Sequence, residues 1–326
     1  MILMSQLIKE GGKLFGSRSS RVTTEEMNYI FNELKNKLSK HFKKFNLSKA
    51  LSSKQDHGDV DIIALPLTDW KTNIEKILKS SIVDKSSNSG VHSYLINFPK
   101  INKNVHVDFI VTGNDDKFQS MSQYYSYNDF SGIVGIFSKK LHFKYGSSGF
   151  FKRFKDRRGN YHDILISSNL MDGLKILGLN PTRFNNISDV DDMVDYLSTS
   201  KLFDFSFITS SEMNQSDRKS MKRPVIDYVI NKLREKGAKS SIKDEDYYFK
   251  KYYPKKYQEV EIKKQEIDNN LPIRSKYNGQ WLMDKLGVKP GPQIGRLLKI
   301  LSDKYGNNLV HQSDSEVLNF IKNYIS

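Results

Sequence analysis

The chain has 326 residues, with 52 Lys+Arg against 37 Asp+Glu, a formal charge of +15 and 37% hydrophobic residues, enough apolar material for two or three cores and too much for a disordered tail. No apolar run reaches the roughly 18 residues of a membrane span, and the N-terminal stretch is too short for a secretory signal, so a soluble cytoplasmic protein without a membrane partner is expected. Without cysteine there are no disulfides, thiolate zinc sites or cysteine nucleophiles, which leaves any metal to carboxylates, His and carbonyls, the donors that suit Mg²⁺.

Residues 1–22 form an N-terminal extension whose Gly11-Gly12-Lys13 run lacks the spacing of a phosphate loop. The spacing of Met27, Ile30, Phe31, Leu34, Leu38, Phe42 and Phe45 predicts one amphipathic helix over 23–45, capped by Thr23 or Thr24. A polar stretch follows over 46–58. The period then changes, and Asp59 to Leu65 reads as a strand buried on its far half. A second helix is expected over 69–82, and Val105 to Val111 is a strand of the same kind, stopped by Thr112-Gly113-Asn114. Helices alternating with strands over 23–140 describe an α/β or α+β domain.

Beyond it, 141–165 reads as a basic hairpin turning at 156–159, and with the helical stretch 168–200, stopped by Gly178 and Pro181, it makes a second region over 141–205. Residues 206–270 are a basic helical segment; 217–264 alone carry 15 Lys+Arg and 8 Asp+Glu, a net of +7. Its Tyr247-Tyr248-Phe249 and Tyr252-Tyr253 pairs read equally as base-stacking groups and as an aromatic core face. A helical C-terminal domain over 271–326 is built around Pro290-Gly-Pro-Gln-Ile-Gly.

The chemistry lies in Gly58-Asp59-Val60-Asp61 and Asp108. On a strand, Asp59 and Asp61 point the same way, and Asp108 joins them if the two strands pair. Three carboxylates at one strand end repel each other unless a divalent cation sits between them. Gly58 would let a ligand approach the backbone. His57 and His106 each stand two residues before an aspartate on the same face; they read as hydrogen-bonding neighbours first and as ligands second. In the hairpin, Lys152, Arg153, Lys155, Arg157 and Arg158 surround the lone Asp156, and cations without internal partners point to nucleic acid.

This pattern resembles the DNA polymerase beta superfamily of nucleotidyltransferases, in which a Gly-Ser turn precedes Asp-x-Asp by about ten residues and a third Asp follows on a later strand. The resemblance implies that Asp59, Asp61 and Asp108 bind two Mg²⁺ (or Mn²⁺) ions. It also implies that Asp108 activates or orients an attacking 3′-hydroxyl, with NTP or dNTP as substrate and a nucleic acid 3′-end as partner. Here Ser48-Lys49 stands where Gly-Ser is usual, so Ser52, Ser53 or Lys54 are the further candidates for the triphosphate.

Two weaker likenesses extend it. Residues 141–183, with Leu177-Gly-Leu and Pro181-Thr182-Arg183 in sequence, are similar to the family-X DNA polymerase thumb, and Leu286 to Gly295 is similar to a C-terminal motif of CCA-adding tRNA nucleotidyltransferases. Nucleotide addition to RNA, in particular tRNA 3′-ends, is therefore expected ahead of DNA repair synthesis. A catalytically impaired nucleic-acid-binding protein is the reading that the Ser48-Lys49 departure favours. No obligate protein partner is evident.

Overall fold

Thr23 starts the first helix because its hydroxyl accepts from the Glu26 amide while Glu26 accepts from the Thr23 amide, a reciprocal cap that settles two orphan N–H groups. The computed structural model describes residues 14–67, 69–88, 90–127, 129–204, 224–237, 239–270 and 276–325. Gly11 to Lys13 and part of the basic segment, 205–223, lie outside the described residues. The elements up to the small domain are β1 (Val22–Thr23), α1 (Thr24–Leu38), β2 (Phe42–Leu47), β3 (Asp56–His57), β4 (Val60–Pro66), α2 (Trp70–Ile77), β5 (Ile82–Asn88), β6 (Val91–Phe98) and β7 (Lys103–Val111).

The five-stranded sheet runs β2-β4-β7-β6-β5. Its β4–β7 pair is parallel and its other pairs are antiparallel. Met27, Ile30, Leu34 and Leu38 of α1 cover one sheet face, packed with Val60, Ile62, Tyr94, Val107 and Phe109. Ile63, Leu65 and Ile110 point to the other face and pack against Phe118. That alternation puts Asp61 and Asp108, each two residues before one of these apolar positions, on the second face.

The first helix is shorter than its pattern predicts. Phe42 and Phe45 belong to β2, where a bulge between Phe42 and Lys44 inserts one residue against β4. Without it, residues three apart would face opposite ways; with it both rings enter the α1 core, each 6% exposed. The second helix likewise ends at Ile77, and the remaining residues lead into the β5–β6 hairpin, a pair of strands with little sequence signature.

There follow α3 (Asp115–Tyr124), α4 (Phe130–Lys140), β8 (Phe143–Gly146), β9 (Gly149–Lys155), β10 (Tyr161–Ser167), α5 (Leu170–Ile176), α6 (Pro181–Phe184), α7 (Val190–Ser198), α8 (Pro224–Glu235), α9 (Tyr247–Tyr252) and α10 (Pro254–Asn270). The basic hairpin is present as β9 and β10, inside a small sheet ordered β10-β9-β8. Gly178 has φ +76°, and a Cβ there would lie 2.6 Å from the Tyr248 ring, so both backbone and neighbour demand glycine at the stop after α5. Phe249 is fully buried while Tyr247 is 41% exposed, which makes the aromatic cluster at least partly a core face.

The contacts divide the chain into two units. One contains everything up to Phe154 together with Tyr161–Val260; the other contains Lys155–Asn160 and Glu261–Ser326. The second unit holds α11 (Gly279–Leu286), α12 (Pro292–Tyr305) and α13 (Asp314–Ile325), packed around Tyr277, Leu282, Leu297, Leu301, Val317 and Ile321. Among the described residues, no helix is long and apolar enough to cross a membrane.

Candidate active site

The parallel pairing of β4 and β7 sets Val60 beside Val107, Asp61 beside Asp108 and Ile62 beside Phe109. Neighbouring strands lie about 4.8 Å apart, so paired residues on one face bring their side chains together. Asp59 sits just before β4, two residues from Asp61, and His106 sits two residues before Asp108. One ligand atom each from Asp59, His106 and Asp108 lies within 4.8 Å of the others. Asp59, Asp108 and one of the two histidines therefore meet at one end of the parallel pair, while Asp61, beside Asp108 in the ladder, stands outside that set of ligand atoms.

Their charges are crowded. Burial pushes the Asp61 carboxyl well above its ordinary range, and the negative charges of Asp59 and Asp108 push it further, against a smaller opposing pull from Lys54. Lys54 itself is only 7% exposed, its backbone carbonyl accepting from Thr24 Oγ1 at 2.9 Å. His106 Nε2 lies 2.8 Å from Asp108 Oδ1. Burial works against its charged form, but the hydrogen bond and charge of Asp108, with Asp59 beyond, outweigh burial and raise its pKa. The oxygen-rich donor set and the crowding of its negative charges fit a divalent cation.

His57 faces elsewhere. It lies in β3, paired with β1, and its Nε2 is 3.0 Å from Thr24 Oγ1. Burial first, and then the charge of Lys54, lower its pKa to about 4, so it is neutral at physiological pH. Gly58 is buried beside it.

The 48–54 segment is a loop. The Ser48 amide donates to the Asp61 carbonyl at 2.9 Å, which ties the loop to the start of β4. Its hydroxyl donates to the Tyr125 carbonyl at 2.6 Å, and the Ser52 hydroxyl donates to the Ser188 carbonyl at 3.2 Å. The Ser53 amide reaches that same carbonyl at 3.1 Å, and Lys49 Nζ donates to Asn185 Oδ1 at 2.9 Å. Ser188 and Asn185 thus anchor the loop alongside Asp61 and Tyr125; at more than 130 positions' separation, nothing local in the sequence announces these two. Lys49 also lines a cleft of about 350 Å³ with Lys44, Asn46, Ser122, Phe118 and Phe184.

The hairpin corrects one expectation. Lys152 is 3% exposed, with its ammonium 2.7 Å from Asp246, 3.4 Å from Glu245 and 4.3 Å from the centre of the Phe143 ring. Arg153 binds Asp163 through two bonds of 2.7 and 2.8 Å. Their partners come from β10 and from the acidic turn before α9, outside the seven residues whose composition suggested unpaired charge. Asp156 instead organises the turn by accepting from the Arg158 and Asn160 amides, and the Arg157 side chain donates to the Asp268 carbonyl. Lys155, Arg157 and Arg158 are exposed.

The chain matches no protein-family model and no curated protein sequence.

Proposed function

We propose that this protein is a metal-dependent nucleotidyltransferase of polymerase-beta type, transferring a nucleoside monophosphate from a triphosphate to the 3′-hydroxyl of a nucleic acid. The observation that carries the reading is the register Asp61 to Asp108 on adjacent parallel strands, with Asp59 two residues from the first. RNA is the favoured acceptor, on the likeness of Leu286 to Gly295 to tRNA nucleotidyltransferases.

Asp59, Asp61 and Asp108 would hold two divalent ions, which supply charge neutralisation at the transferring phosphoryl group and lower the pKa of the attacking hydroxyl. The chain's own part is placement. Asp108, fixed through its Oδ1 to His106, orients the 3′-hydroxyl and takes its proton. As the 3′-oxygen bonds to the α-phosphorus, the bond to the bridging oxygen breaks and pyrophosphate leaves. Lys49, which lines the cleft beside the loop, offers positive charge to the triphosphate.

The test is nucleotide addition. Purified protein with Mg²⁺ or Mn²⁺, each labelled NTP or dNTP, and either tRNA or gapped duplex DNA should extend one acceptor. The reading fails if neither is extended, or if Asp59→Ala with Asp61→Ala extends as well as the wild type. One observation favours a second reading, binding without catalysis: the Ser48 and Ser52 hydroxyls are already spent on the Tyr125 and Ser188 carbonyls. Metal-independent nucleic acid binding unaffected by the same substitutions would support it.

A further inference from the structure

His106 is more than a neighbour of the carboxylates. The residue is 4% exposed, and among the described residues its ring bonds to Asp108, at Nε2. Nδ1 is buried and meets no hydrogen-bond partner among the described residues, and the ring lies edge-on to Phe15 with the centroids 5.0 Å apart. A neutral imidazole carries its proton on one nitrogen only, so with the proton on Nδ1 the lone pair of Nε2 faces the Asp108 carboxylate, where a shared cation can sit. The other observation is positional: a ring nitrogen of His106 and a carboxylate oxygen from each of Asp59 and Asp108 lie mutually within 4.8 Å, the separation at which three ligands can share one ion.

We propose that His106 ligates a divalent cation together with Asp59 and Asp108, and that this nitrogen ligand biases the site towards Mn²⁺ over Mg²⁺. Mg²⁺ favours an all-oxygen shell and dehydrates reluctantly, whereas an imidazole and two carboxylates suit the softer first-row ions. The Asp61 carboxylate, beside Asp108 in the ladder, supplies oxygen to the same region without a nitrogen. The mixed nitrogen and oxygen set is therefore Asp59, His106 and Asp108, with Asp61 outside it. The inference shares with the nucleotidyl-transfer reading the premise that these aspartates hold a cation, but it does not require that nucleotide be transferred.

The experiment is Mn²⁺ binding to the full-length, metal-free protein, followed by electron paramagnetic resonance, with pulsed measurement of nitrogen coupling and competition by Mg²⁺. The expected result is saturable Mn²⁺ binding with an imidazole nitrogen coupling that changes on ¹⁵N-histidine labelling. His106→Gln should remove that coupling and lower the Mn²⁺-over-Mg²⁺ affinity ratio about tenfold. Circular dichroism checks that the variant folds, and the labelled wild type decides the question if it does not. Bound Mn²⁺ without nitrogen coupling would leave His106 as a positioning residue for Asp108 and overturn the proposal, as would the absence of saturable binding. If nitrogen-coupled Mn²⁺ binds and no acceptor is extended, nucleotidyl transfer falls and this ligation stands. If an acceptor is extended and no coupling appears, only the ligation falls.

Discussion

Asp61 and Asp108 occupy paired positions on the parallel strands β4 and β7, so two carboxylates that are 47 residues apart in sequence share one face of one sheet. On Asp61 the pull of Lys54 is smaller than the push from burial, Asp59 and Asp108.

The first prediction concerns that crowding. Asp61→Asn removes one of three like charges, and the metal-free protein should melt about 2–4 °C higher than the wild type. Divalent metal at a hundred times its Kd should stabilise the wild type by about 2.7 kcal/mol and the variant by clearly less. Differential scanning calorimetry with and without Mn²⁺ reads both; equal metal stabilisation in the two proteins would count against a shared ion.

Catalysis gives the second. Asp59→Ala with Asp61→Ala should reduce nucleotide addition by about 10³-fold or more, as expected for groups that act as a unit. Lys49→Ala should instead act on the triphosphate, raising KM for nucleotide several-fold with a smaller change in kcat. Steady-state kinetics with the extended acceptor separates the two patterns.

The fold of the candidate site was legible only in part. The alternation Val105 to Val111 and the opening Asp59 to Leu65 announced two strands with acids at corresponding places, and the β4–β7 register brings those acids together. The β5–β6 hairpin was not legible, because its polar Ser86, Ser87 and Asn88 end lies at the sheet edge, where burial imposes no pattern. Phe42 and Phe45 misled because a bulged strand and a helix both place residues three apart on one face. The partners of Lys152, Lys49 and Ser52 come from distant segments, and no window of local sequence contains them.

A third prediction follows from the hairpin. The two bonds from Arg153, with Lys144 at 2.9 Å, lower the Asp163 pKa to about 2, from 3.8 for an unperturbed carboxyl. The folded value lies below the unfolded one, so the stabilisation is complete above about pH 4 and is lost as pH falls towards 2. Denaturant titrations across that window should show Asp163→Asn with a flatter acid limb than the wild type.

The fourth is backbone-specific. Gly178→Ala meets both a left-handed φ and the Tyr248 ring at 2.6 Å. It should cost about 2 kcal/mol, most of it strain that no larger side chain can relieve. A urea midpoint unchanged by the substitution would contradict the geometry.

Lys152 alters how the net charge of +15 should be counted. A cation sealed at 3% exposure against Asp246 and Phe143 has no phosphate to meet, and so displaces no condensed counterion when a nucleic acid arrives. Arg153, held by both oxygens of Asp163, is similarly committed. The ionic-strength dependence of any polyanion binding should therefore correspond to fewer charges than this hairpin displays in print, and the slope of affinity against salt becomes a measure of which lysines and arginines are still available.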